Sequence, residues 1–243
     1  MFRILAIAAA MLGAPAIVSA QDGHGTHPEH GHSHAAFVSD RIHIRVDGDM
    51  DGRDIILIPG LSSSPEVWQG TVDHLTAQDG AGWRIHRIHV QGFAGAPAEG
   101  NAQGATPSPV ADQIWTAQSS SPREAYVAQA TTSINGMINT ESRRAEALED
   151  MRTSDQKVSA AAFRELITTD LRPELSKITA PTEVLYVKFN DPRMTPQITD
   201  SIYRMSFANL KDAQLKRIDD SAHFIMLDQP DVFYSALDAF VGP

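Results

Sequence analysis

Asp54-Ile55-Ile56-Leu57-Ile58-Pro59-Gly60-Leu61-Ser62-Ser63-Ser64-Pro65-Glu66 is the stretch on which the fold turns. Its first five residues are a short, mostly unbroken apolar run, the pattern of a strand buried on both faces of a parallel sheet. Pro59 and Gly60 break that run. Ser64-Pro65-Glu66 then supplies a helix start: a hydroxyl cap, proline at the first helical position, and a carboxylate near the positive helix end. Val67, Trp68, Val72 and Leu75 come next at helical spacing, so one face of the helix is expected to pack on the sheet. Gly80 and Gly82 end it, and Arg84-Ile85-His86-Arg87-Ile88-His89-Val90 reads as the next strand. Strand, helix and strand within about forty residues predict a right-handed crossover unit.

Working outward, Val38 to Val46 alternates apolar and polar residues, which predicts a half-exposed antiparallel strand at the sheet edge. Asp47 to Gly52 is an acidic turn into the central strand; it lacks the later glutamate of a calcium loop. After Gly95 the chain is Gly-, Ala- and Pro-rich up to Pro109, then reads as helix almost throughout to Thr169. Tyr126, Ala130, Ile134 and Met137 form one stripe, Ala145, Leu148 and Met151 a second, and Val158, Ala162, Phe163 and Leu166 a third. Thr182 to Phe189 restarts the sheet, Thr195-Pro196 caps a helix carrying Ile198, Ile202 and Met205, and Gln214 to Ile218 is the last strand. Pro230 opens the final helix, with Val232, Phe233, Leu237 and Phe240 expected inward.

Ile55-Leu57-Ile58-Pro59-Gly60-Leu61-Ser62, then Trp68, then His89-Val90-Gln91-Gly92-Phe93-Ala94-Gly95 resembles the front of an α/β-hydrolase. The resemblance returns at Asn190-Asp191-Pro192 and at Ser221-Ala222-His223-Phe224, so that it covers about half of the chain. It implies an α/β fold: a mostly parallel sheet flanked by helices, with a helical cap at about residues 110–170. The activity it implies is that of an esterase or lipase-like serine hydrolase, cleaving a small ester-type substrate through an acyl-serine intermediate. By resemblance, His223 matches the general base, Asp191 the acid that orients it, and the Leu61 amide, with Ser62 beside it, half of the oxyanion hole.

The nucleophile is another matter. The family carries it on a strained strand-to-helix turn, usually Gly-x-Ser-x-Gly, and no serine of this chain lies in that pattern. Ser62 in Gly60-Leu61-Ser62-Ser63-Ser64 comes nearest, yet it comes after the strand that should supply the oxyanion loop. It stands either as part of that loop or as a nucleophile one strand–helix unit too early. The family would place a strand, the nucleophile helix and a further strand after Gly95, on the order of sixty residues. Here cap-like helices begin almost at once. The expectation is therefore a sheet lacking its central nucleophile strand and helix, with Ile55–Ile58 and Val184–Val187 deprived of neighbours and hydrolysis absent or impaired.

The chain ends add context. Arg3, an apolar stretch, and Val18-Ser19-Ala20 before Gln21 read as a secretory signal peptide over residues 1–20, which predicts a secreted or periplasmic protein. Residues 21–36 form a His-rich linker expected to be disordered. His24, His27, His30, His32 and His34 could hold zinc, copper or nickel, adventitiously if the tract is a plain linker. A non-catalytic binding protein with a metal-binding tail is thus the alternative to the hydrolase reading. Residues 37–243 then form one α/β-hydrolase-like domain. The net charge of −10 argues against nucleic acid and anionic membrane surfaces as partners. With no cysteine there is no thiolate nucleophile or disulfide. No further run is long and apolar enough to span a bilayer, and Gly92-Phe93-Ala94-Gly95 lacks the spacing of a dinucleotide loop, so no organic cofactor is expected.

Overall fold

The structure, a computed structural model, describes residues 4–8, 39, 41–78, 82–97, 108–188 and 191–242. Two three-stranded sheets share one hydrophobic core. The first has the order β2(Ile42–Gly48)-β4(Trp83–Val90)-β3(Arg53–Leu57). β2 runs antiparallel to β4, with Ile44 opposite Ile88, and β3 runs parallel to it, with Ile55 opposite Ile85. The antiparallel edge strand expected from the alternating sequence is therefore present. The second sheet has the order β1(Ile4–Ala8)-β5(Thr182–Tyr186)-β6(Gln214–Arg217), parallel throughout.

Local signals act where the sequence placed them. Ser64 accepts the Glu66 amide and opens a 3-10 turn at Pro65–Trp68, which leads into α1(Gln69–Thr76). Thr71, Val72 and Leu75 bury one face of α1. In β4, Trp83, Ile85 and Arg87 share the inward face by the two-residue strand period. Arg87 is fully buried there, with its Nε and Nη2 on Asp47 (2.8 and 3.1 Å) and its Nη1 on Glu66 (3.1 Å) and Gln69 (2.9 Å). These bonds raise the guanidinium's affinity for its proton despite the burial, and tie β2, the 3-10 turn and α1 to one strand.

The helical region comprises α2(Pro109–Ser120), α3(Arg123–Met137), α4(Arg144–Thr153) and α5(Gln156–Thr168), at the expected place for the cap. No strand occurs among the described residues between Gln91 and Ala180. α6(Pro196–Ser206) starts at the Thr195 cap, whose hydroxyl accepts the Ile198 amide. The short α7(Ile225–Asp228) and the closing α8(Pro230–Val241) complete the chain. Leu57, Leu75, Ile85, Leu185, Val187, Ile225 and Phe233 belong to one buried cluster.

Several expected inward positions turn out differently. In α6, for which the sequence predicts apolar residues but no facing, Ile198 and Met205 face solvent and Thr199 and Tyr203 are buried. In α4 the buried alanine is Ala147, not Ala145, and Leu166 of α5 and Val232 of α8 are exposed. In α3 no residue is fully buried, although Ile134 and Met137 pack against the core. Helical period locates an apolar stripe to within one turn; which rows touch the body depends on neighbours elsewhere in the chain.

The two strands expected to lack neighbours behave unequally. Among the described residues β3 pairs with β4 alone, which leaves its other edge open there, and Ile56 and Ile58 are 56% and 64% exposed rather than buried on both faces. β5 is not left open. Ile4–Ala8, whose composition suits a leader, pairs with it residue for residue from Ile4 opposite Thr182 to Ala8 opposite Tyr186.

Candidate active site

Leu61 and Ser62 lie on the turn after β3. Leu61 is partly exposed, and Ser62 has φ of 59°, a left-handed conformation that is uncommon for a residue with a side chain. The α4–α5 junction closes over this turn. Ser62 Oγ donates to Ser159 Oγ at 2.8 Å, and Ser154 Oγ lies 3.2 Å from the Ser62 carbonyl. The Ser64 amide donates to Asp150 Oδ2 at 2.7 Å. The turn after β4 joins the same contact: Ala94 N–H reaches Ser154 Oγ (2.8 Å), and the Asp155 amide reaches the Gly92 carbonyl (2.7 Å). Gly92 has φ of 80°, and a Cβ there would meet Val158 Cγ1 at 2.6 Å, so the cap's approach demands glycine at this position.

Beside this seam is a cavity of about 480 Å³, bordered by Ser64, His89, Glu146, Glu149, Asp150 and Thr153 among others. Burial pushes the Asp150 carboxyl up, against the Ser64 bonds that hold it down, and burial likewise raises Glu146. His89 Nε2 is fixed on the Phe93 carbonyl at 2.9 Å. Four carboxylates, of Glu66, Glu146, Glu149 and Asp150, stand on the rim of the cavity. Neither Asp150 nor Glu146 stood out in the sequence. Only the docking of α4 on the β3 turn gives them a place.

His223 lies after β6, as the sequence placed it. Its ring meets Phe224 edge-on at 5.1 Å, and its Nδ1 is buried with no hydrogen-bond partner among the described residues. Burial lowers the pKa of the imidazole, favouring the neutral ring. The loop is held by Asp228, whose carboxylate accepts the amides of Asn139 (3.1 Å), Thr140 (2.8 Å) and Ala222 (2.9 Å). The Phe224 amide adds a bond to the Met137 carbonyl at 3.2 Å. Asp228 had no distinguishing signal in the sequence.

Asp191, after β5, serves Arg193. Arg193 Nη2 lies 2.6 Å from Oδ2, its Nε reaches both oxygens, and its amide donates to Oδ1 at 2.8 Å. These bonds hold the Asp191 carboxyl down to about 2. The structure thus joins Leu61 and Ser62 to the cap and anchors His223 to the end of α3. Among the described residues no hydrogen bond links His223 to Asp191 or to Ser62. His24, His27, His30, His32 and His34 lie outside the described residues, as does most of the leader. Among the described residues no group of three or more histidine or acidic side chains is placed to hold a metal ion, and no helix is long and apolar enough to cross a membrane.

No protein-family model and no curated protein sequence matches the chain. Solved structures do. The enol-lactonase from Burkholderia xenovorans LB400 is similar with a TM-score of 0.59 at 15% identity, over 82% of this chain and 96% of the lactonase. A thermophilic esterase from Thermogutta terrifontis gives 0.61 at 15% identity, over 82% and 92% of the two chains. Bromoperoxidase from Bacillus anthracis gives 0.62 at 14%, over 82% and 95%. The chain has the α/β-hydrolase fold.

Proposed function

We propose that this chain is an exported relative of the esterase and lipase-like serine hydrolases whose acyl-hydrolytic centre is unassembled. The observation that carries the reading is the separation of the base from its acid. A working centre needs a serine hydroxyl on imidazole Nε2 and a carboxylate on Nδ1, which fixes the tautomer and stabilises the imidazolium as it forms. Here Nδ1 of His223 is buried without a partner among the described residues, and the Asp191 carboxylate is occupied by Arg193. A proton taken up by His223 would therefore create a buried, uncompensated cation, which opposes general-base action. Ser62, the serine nearest the family's pattern, has its hydroxyl spent on Ser159.

Activity-based labelling tests the reading. The purified chain is treated with a fluorophosphonate, and its intact mass and peptides are read. The expected result is a folded chain with no adduct. A single stoichiometric adduct on Ser62, lost in Ser62→Ala and in His223→Gln, would overturn it.

A further inference from the structure

The pairing of Ile4–Ala8 with β5 has no counterpart in the hydrolase reading. β5 is the middle strand of its sheet, and Val184 and Leu185 are completely buried. A parallel strand in such a position needs both faces covered and both edges paired, because each unmet backbone amide or carbonyl in an apolar setting costs about 1–3 kcal/mol. β6 closes one edge, with Val184 opposite Leu215 and Tyr186 opposite Arg217. Five consecutive residues of the N-terminal segment close the other edge. Ile4-Leu5-Ala6-Ile7-Ala8 carries no charge and no proline, so the residues that suit a leader's apolar region also suit a buried parallel strand. Leu5 packs against the shared core. A parallel connection needs about a dozen residues, and far more chain than that separates Ala8 from Thr182.

We propose that the edge of β5 away from β6 is a strand-acceptor site, and that its occupant is the chain's own segment Ile4–Ala8. Removal of residues 1–20 would then empty the site and leave β5 open to an extended apolar segment in the same orientation. The N-terminal segment and the acceptor edge form a ligand and its site, joined in one chain and separable by a single cleavage.

Hydrogen exchange on the full chain and on residues 21–243 tests this. The Tyr186 carbonyl accepts the Ile218 amide on the β6 side, so the Leu185 amide points to the other edge and is expected to exchange at least tenfold faster in the shorter chain. A synthetic peptide of residues 2–11, added to the shorter chain, is expected to restore protection saturably, while a peptide with the same residues in scrambled order does not. Equal protection of β5 in the two chains would overturn the proposal. So would failure of the authentic peptide to restore protection. Should residues 21–243 not stay folded, Leu5→Pro and Ala6→Pro in the full chain decide the matter. Successive N–H groups point to opposite edges, so one of the two removes a ladder bond. That variant must raise β5 exchange with the β4 amides unchanged, and unaltered β5 exchange in both variants would overturn the proposal.

Discussion

The two sheets solve the same problem in different ways. Each holds a strand, β3 or β5, whose inner neighbour is expected to be missing from the sequence. The β2-β4-β3 sheet leaves its inner edge open and is braced from the side, through Arg87 and its bonds to Asp47, Glu66 and Gln69. The β1-β5-β6 sheet closes its inner edge with a strand from the other end of the chain. The difference stems from side-chain character at the edge. β3 carries Arg53 and Asp54 beside its isoleucines, and Asp54 is bonded to Arg84 and His86, so part of the strand tolerates water. β5 offers Val184, Leu185 and Tyr186, which do not. An open edge persists where polar groups can keep it wet; an apolar one recruits a strand.

The largest effect expected from breaking this contrast comes from Arg87→Ala. It opens a cavity beside Asp47 and Glu66, leaves them Arg45 as their remaining counter-charge, and should cost about 3 kcal/mol. Exchange should rise in β2 and β4 first, with β5 joining only on global unfolding; equal loosening of both sheets would show that they are not separately braced. Next comes Asp228→Asn, which replaces an acceptor oxygen with a donor facing backbone N–H groups. About 2 kcal/mol of stability should be lost in urea unfolding, with faster exchange at Asn139, Thr140 and Ala222.

A subtler probe is acid. The His223 pKa is lowered in the folded chain, so between that value and the ordinary 6.5 the unfolded chain holds a proton that the folded one lacks. Stability contributed by the neutral buried ring is therefore present above pH 6.5 and lost as pH falls towards the folded pKa. The limiting slope is about 1.4 kcal/mol per pH unit. His223→Gln should remove that component, and identical slopes in the two proteins would mean that the ring gains a partner on protonation. The smallest effect belongs to Ile56→Lys on the open edge of β3. Its stability should change by no more than about 0.5 kcal/mol, while self-association measured by sedimentation falls.

Much of the fold was legible because its signals are local. Ser64 and Thr195 cap their own helical turns through their hydroxyls, and the alternation in Ile42–Val46 marks a half-wet edge whatever lies beside it. His223 and Asp191 fall at strand ends because they come after apolar runs of strand length. The part that was not legible is relational. That the Asp191 carboxylate meets Arg193, two residues on, and not His223 is a matter of loop geometry that strand-end position does not reveal. Ser154 and Ser159 matter only because α4 and α5 dock on the Ser62 turn. The outward apolar row of α6 and the exposed Ile56 reflect surfaces that no neighbour reaches. Ile4–Ala8 shows the limit most clearly, since one apolar run satisfies both a leader and a strand, and composition alone cannot choose between them.

The Ile4–Thr182 register also sets an order of events. The first strand of the chain waits for a partner made in its last third. At ordinary synthesis rates of about 5–20 residues per second, the delay is on the order of ten seconds or longer. Throughout that time the N-terminal segment is unpaired and apolar, available to whatever binds such segments as they emerge. The second sheet can close only after that competition ends. Its fate is settled by timing as much as by affinity.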